Sequence, residues 1–448
     1  MVRAMRLGFG VLASVGLATF LSVNSADRAA AEFITPHGGN DTSSAVGCAA
    51  CHSVHSDQAD TYTPDNVVPR SLACLSCHDG TGANTSIAAQ YNAASPNDPA
   101  TRTYYSHPAN ATGTGHVSAA VDDEGGIDEA NNEFQAVHNR HSDCVDCHNP
   151  HGSATAPGSS KTNNGWTLSG SMRLVSVVSA SFPADPSVEP TYTFVARGTD
   201  TNYEYELCLK CHSSFTTLTS NDGWAPSKWY LDFGRLINPN NTSFHPITAA
   251  GKNTSTALSN SLAGDAGDTF HYFTTYTTSS VIACSSCHGV TGGGTHATGN
   301  PGILAYRYRA ENLKASDDPY DAAEFKLCFT CHSDVPFQRV DSTYTNFSEH
   351  YGHSVTYKGT GTAGGTVNDD GNGNGVALCS ECHWNTHSSG QSDPAQTLSG
   401  DRLVQFAPNV QPFNGKIEYI TRNGSTPGSC TLVCHGYTHN ATAYGPLP

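Results

Sequence analysis

All sixteen cysteines of this chain fall in eight short units, and each unit ends in a histidine. In order they are Cys48, Cys51 and His52; Cys74, Cys77 and His78; Cys144, Cys147 and His148; Cys208, Cys211 and His212; Cys284, Cys287 and His288; Cys328, Cys331 and His332; Cys379, Cys382 and His383; and Cys430, Cys434 and His435. Seven read C-x-x-C-H, the attachment signature of c-type haem. The eighth has three residues between its cysteines, Thr431, Leu432 and Val433. The spacing has a chemical reason: two thiols add across the two vinyl groups of a porphyrin, and the adjoining imidazole takes one axial position on the iron. The pattern predicts eight covalent haem c groups, with the cysteines as thioether donors and the eight motif histidines as proximal ligands.

Two other chemistries use paired cysteines. An even count in an exported chain suggests disulfides, and zinc ribbons are built from C-x-x-C hairpins. Neither requires a histidine directly after the second cysteine, and histidine is only 22 of 448 residues. A disulfide between Cys430 and Cys434 is the main competitor at the wider unit.

The first residues predict export. Arg3 and Arg6 precede an apolar run from Leu7 to Val23, and Ala29, Ala30 and Ala31 form a small-residue cleavage site. Residues 1–31 read as a signal peptide, and no later stretch is long and apolar enough for a transmembrane helix. The expected location is periplasmic, outer-surface or extracellular. Formal charge is −17, and residues 1–31 hold three Arg and one Asp, so the remainder is two units more negative. That balance argues against nucleic acid, which requires a basic face, and is compatible with basic redox partners, metal ions or mineral acceptors.

The motifs come in pairs. The first of a pair is followed by another histidine, as in CHSVH ending at His55, CHNPH at His151, CHWNTH at His387 and, more distantly, His296. Upstream of each pair lies an isolated histidine in a turn-like setting: His37, His107, His245 and His353. Four modules result, 32–100, 101–240, 241–345 and 346–448. Leu168-Ser169-Gly170 with Arg173-Leu174-Val175 recurs as Leu398-Ser399-Gly400 with Arg402-Leu403-Val404, each followed by a β-like stretch, Tyr192 to Gly198 and Ile417 to Gly424. These read as small β-hairpins inserted between the two sites of modules two and four, and the recurrence reads as internal duplication. The Gly-Asp-Asn run from Gly359 to Gly375 reads as a surface loop. Hydrophobic residues are 37%, so the cofactors must supply much of the interior. The expected fold is mostly irregular coil, with short helices at the haem sites and a few hairpins around a haem core.

With these motifs the chain resembles the multihaem c-type cytochromes with doubled C-x-x-C-H motifs, and its Thr/Gly/Asn-rich loops are similar to those of outer-surface electron-transfer cytochromes. CVDCHNPHG at Cys144 to Gly152 and CTLVCHG at Cys430 to Gly436 carry the resemblance most closely. It implies electron transfer, other periplasmic or outer-membrane cytochromes as partners, and assembly into a homopolymer as one possible state.

Eight six-coordinate irons need eight further ligands. Removing residues 1–31 leaves Met172 as the last methionine, so bis-histidine, low-potential sites are expected. The module pattern proposes His37, His55, His107, His151, His245, His296, His353 and His387 as distal ligands, with His141 and His439 as substitutes. For His116, His138, His271 and His350 a loop or propionate-bonding role is the simpler reading. The resemblance implies that trailing histidines ligate the iron of an adjacent haem, which would join the cofactors into one chain.

The leading expectation is an extracytoplasmic electron carrier, with no catalytic residues. The alternative is a multihaem reductase of a small inorganic substrate at one open-coordination haem. All eight motifs keep histidine, which favours the carrier.

Overall fold

The computed structural model describes residues 74–83, 86–93, 106–107, 144–152, 167–168, 170–199, 201–215, 232–289, 294–308, 321–356, 377–389, 396–398, 401–407, 410–421, 426–434 and 436–444. The export segment 1–31, the first motif (Cys48, Cys51, His52), His37, His55, His116, His138, His141, His435 and the loop 359–375 lie outside the described residues.

Helices here are short: α1 (Ile87–Ala93), α2 (Cys144–Cys147), α3 (Glu204–Cys208), α4 (Phe233–Leu236), α5 (Thr256–Ala263), α6 (Lys326–Phe329), α7 (Val335–Gln338) and α8 (Cys379–Cys382). Helices of this length do not hold themselves in water, so caps and tertiary packing must fix them. The eight-residue α5 shows how: Ser255 caps its first turn by accepting from the Leu258 N–H at 3.3 Å, and Gly264 ends it at φ 77°. No helix among the described residues is long and apolar enough to cross a membrane.

Two sheets are present among the described residues. β1 (Val177–Ser181) and β2 (Thr191–Val195) form an antiparallel hairpin in register from Val177↔Val195 to Ser181↔Thr191. β3 (Gln396–Leu398) runs parallel to β4 (Ile417–Ile420), which is followed across the sheet by antiparallel β5 (Gly428–Cys434) and β6 (Tyr437–Tyr444). The β2 and β4 strands overlap the stretches that the duplicated sequence marks as β-like.

Among the described residues the buried apolar side chains form four small clusters rather than one core. Motif cysteines pack against every one. Leu168, Val175, Val177 and Leu207 take Cys147. Leu209, Ile237 and Ile247 take Cys284. Phe325, Phe329 and Leu378 take Cys328 and Cys379. Val404, Phe406, Ile417, Tyr419, Leu432 and Tyr444 take Cys382, Cys430 and Cys434. Val175 and Val404, equivalent in the duplicated segment, are both buried.

Candidate haem-ligating centres

Six motifs are described through their histidine, and all six fold into the same tight turn. The histidine N–H donates to the carbonyl of the first cysteine: His78 to Cys74, His148 to Cys144, His212 to Cys208 and His288 to Cys284 at 2.9 Å, His332 to Cys328 at 3.0 Å, and His383 to Cys379 at 2.8 Å. One helical turn therefore carries both thiols and the imidazole. The eighth motif departs from this. Cys430 and Cys434 lie in strand β5, with a register shift between Cys430 and Leu432. Four residues of extended strand span about 13 Å, so these two thiols do not share one helical turn as the other pairs do.

The first-motif histidines of modules two, three and four have their rings fixed in the same way. Nδ1 of His148 meets the carbonyl of Ser171 at 2.9 Å, that of His288 meets Gly302 at 2.8 Å, and that of His383 meets Leu403 at 3.0 Å. A carbonyl accepts only, so Nδ1 holds the proton and Nε2 keeps its lone pair for a metal. The segments delivering these carbonyls pass through positive φ, relaxed at Gly302 (69°) and strained at Leu174 (63°), Ile303 (55°), Arg402 (62°) and Leu403 (56°). Left-handed backbone at a branched or bulky residue costs about 1–3 kcal/mol. The strain turns carbonyls toward the motifs. Leu174 adds a contact of its own, accepting from the Asn149 amide at 3.1 Å.

Non-motif histidines repeat the arrangement. Nδ1 of His107 meets Thr295 O at 2.7 Å, and Nδ1 of His353 meets Glu349 O at 2.9 Å. His245 makes the same bond to Thr386 O. In addition, the His107 N–H donates to His296 O at 2.9 Å, and the His245 N–H to His387 O at 3.1 Å. The upstream histidine of one module is thus joined to the trailing histidine of the next.

The rings then meet motif histidines. His107 faces His212 with centroids 6.2 Å apart, His296 faces His148 at 5.8 Å, and His387 faces His288 at 6.1 Å. Two imidazoles bonded to one iron at about 2 Å each place their centroids about 6 Å apart. These donor sets fit a bis-histidine iron. An upstream histidine faces the second motif of its own module, and a trailing histidine faces the first motif of the module before. His332 and His245 extend the first half of this rule: burial lowers the His332 pKa to about 4, with His245 the next cause.

Burial dominates the electrostatics. It lowers His212 to about 4 and His387 to about 3, and also depresses His107, His245, His288 and His383. Neutral imidazole is the form that ligates a metal. Burial also pushes the Cys287 thiol up to about 12 and Cys331 and Cys430 to about 11, which disfavours reactive thiolates.

Neighbouring motifs meet through their cysteines in sequence order. The Cys208 thiol shares a hydrogen bond with Cys284 and lies near Cys147; Cys287 lies near Cys331; the Cys379 thiol shares a hydrogen bond with Cys328; and Cys382 lies near Cys430. Ligand atoms of Glu204, Cys208 and Cys284 lie within 4.8 Å of one another. The Glu204 carboxylate is spent on Ser285, accepting from its N–H at 2.8 Å and its hydroxyl at 2.7 Å, so it clamps two motif turns together. Lys210, 1% exposed, clamps another two, donating to Asp146 O at 2.6 Å and Ser176 Oγ at 2.9 Å.

The remaining candidates are placed less centrally. His151 is exposed on the turn after its motif, its N–H bonded to Asn149 Oδ1 at 3.0 Å. His439 on β6 faces His353 at 6.1 Å. His271 directs Nε2 to Cys331 O at 3.0 Å. His350, outside the expected ligand set, is packed between Phe337 at 4.9 Å and Phe347 at 5.0 Å. Its spacing of three from His353 is the sequence signal for it, since that spacing puts two side chains on one face of a turn.

Comparison with protein-family models, curated proteins and solved structures finds no match.

Proposed function

We propose that the protein is an exported electron-transfer protein whose C-x-x-C-H turns hold haem c, mostly with two histidines per iron, passing electrons toward extracellular acceptors. The observation that carries this reading is the facing of motif and non-motif imidazoles at 5.8–6.2 Å. Haem held in this way supplies a reversible Fe(III)/Fe(II) couple. The chain's own residues do the rest. Backbone carbonyls fix each imidazole tautomer, the cysteines anchor the macrocycle edge, and the four apolar clusters exclude water around them. The sequence-ordered contacts between motif cysteines support a continuous line of redox centres.

Bis-histidine saturation leaves no open position for a substrate, which favours a carrier over a reductase. The test is to express the chain in a host with c-type cytochrome maturation, then measure covalent haem by mass and haemochrome assay, and spin state by EPR. Eight covalent haems, all low-spin, are the expected result. A wild-type protein without covalent haem would sink the proposal, and a stoichiometric high-spin signal would return the reductase.

A further inference from the structure

The first-motif histidines His148 and His288 are each met by the trailing histidine of the following module. Among the described residues no trailing histidine faces His383 in this way. His383 therefore needs a ligand from elsewhere.

We infer that His350 is that ligand, completing the iron attached at Cys379 and Cys382 opposite His383. The inference rests on the haem reading above. Three observations place His350 there. Its two aromatic neighbours bracket the motif: Phe337 packs in the cluster that holds Cys379, and Phe347 packs against the one that holds Cys382. The backbone around it is tied to the motif entrance, where the Ala377 N–H donates to His353 O at 2.8 Å. Its Nδ1 lies 2.9 Å from Thr345 Oγ1, which holds the ring in place. Burial and the proximity of His383 and His353 also hold its pKa down to about 3, as burial does for the facing histidines.

Among the described residues, His107 and His245 then serve the second motifs of their modules, His296 and His387 the first motifs of the preceding modules, and His350 the first motif of the fourth. The sequence pattern alone left His350 out of that set.

The test compares wild type with His350→Ala in holoprotein from the same maturation host. Expected is an unchanged haem count with one haem equivalent converted to high spin by EPR, restored to low spin by added imidazole. His271→Ala serves as the control and stays all low-spin. Should the alanine variant fail to accumulate, His350→Met replaces it, and one redox transition moves to higher potential with a methionine–iron charge-transfer band. Eight low-spin haems in His350→Ala, or no such shift and band in His350→Met, overturn the inference alone. Wild-type protein without covalent haem overturns the reading of the motifs and this inference with it.

Discussion

The main-chain N–H of His245 donates to the carbonyl of His387 at 3.1 Å, and one module earlier His107 makes the same bond to His296 at 2.9 Å. Each bond sets two imidazoles at once, aimed at different motifs. His107 and His296 point to His212 and His148, which belong to the two turns of module two.

Separate substitutions should expose this division. If the turns hold haem as proposed, His107→Ala is expected to leave one haem equivalent high-spin at the Cys208–Cys211 turn, and His296→Ala one at the Cys144–Cys147 turn. EPR of the ferric protein counts the equivalents. If the double variant shows one equivalent rather than two, the separate targets are wrong.

Lys210 is a buried cation inside a motif, and its ammonium serves carbonyl and hydroxyl acceptors across the interface between two turns. Lys210→Met keeps the stem and removes the donor. The expected loss is about 1–3 kcal/mol, because buried acceptors lose a partner, measured as a shift in the urea midpoint. A stability gain would mean that desolvating the charge costs more than its bonds return.

Gly289 follows His288 at φ 107°, and a Cβ there would lie 2.3 Å from the carbonyl oxygen of Gly294. Its N–H is already committed to Ile303 O at 2.6 Å. Gly289→Ala should cost about 1–3 kcal/mol through the positive φ alone. The fit of His288 to Gly302 should loosen with it, read as a change in the EPR line shape of one haem.

In the haem-free protein, where these imidazoles are not held by iron, acid should destabilise the fold in a defined window. His212 and His332 are lowered to about 4, and His350 and His387 to about 3, all chiefly by burial. In the unfolded chain each sits near 6.5, so between about pH 6.5 and the folded values the unfolded state binds more protons. Stability therefore rises with pH across that window, levels off above it, and is lowest near pH 3. Urea midpoints from pH 4 to 8 check this, and a midpoint that rises on acidification would contradict it.

What could be read from the sequence was local. The tight turn at Cys74, Cys144, Cys208, Cys284, Cys328 and Cys379 follows from residues within one turn, and so does the β-hairpin built from alternating residues around Tyr192. What could not be read depends on distant partners. That His296 faces His148 of module two, and that His350 packs between Phe337 and Phe347, is decided by packing between distant segments. The carbonyls of Gly302 and Leu403 that meet His288 and His383 are equally invisible, since neither residue's type announces a ring waiting for its oxygen. The strand at Cys430 is an instructive intermediate. Its extra residue marks the site as unusual, while the hairpin with β6 is what pulls it into extended form.

The bond from His245 to His387 also sets an order in time. A polypeptide emerges from its N-terminus, and the third module cannot seat its upstream histidine until the fourth has arrived. The second waits on the third in the same way. Assembly must therefore trail synthesis by one module, with each newly delivered segment finishing the one before it, and a chain truncated near its end would leave the third module unfinished as well as the fourth.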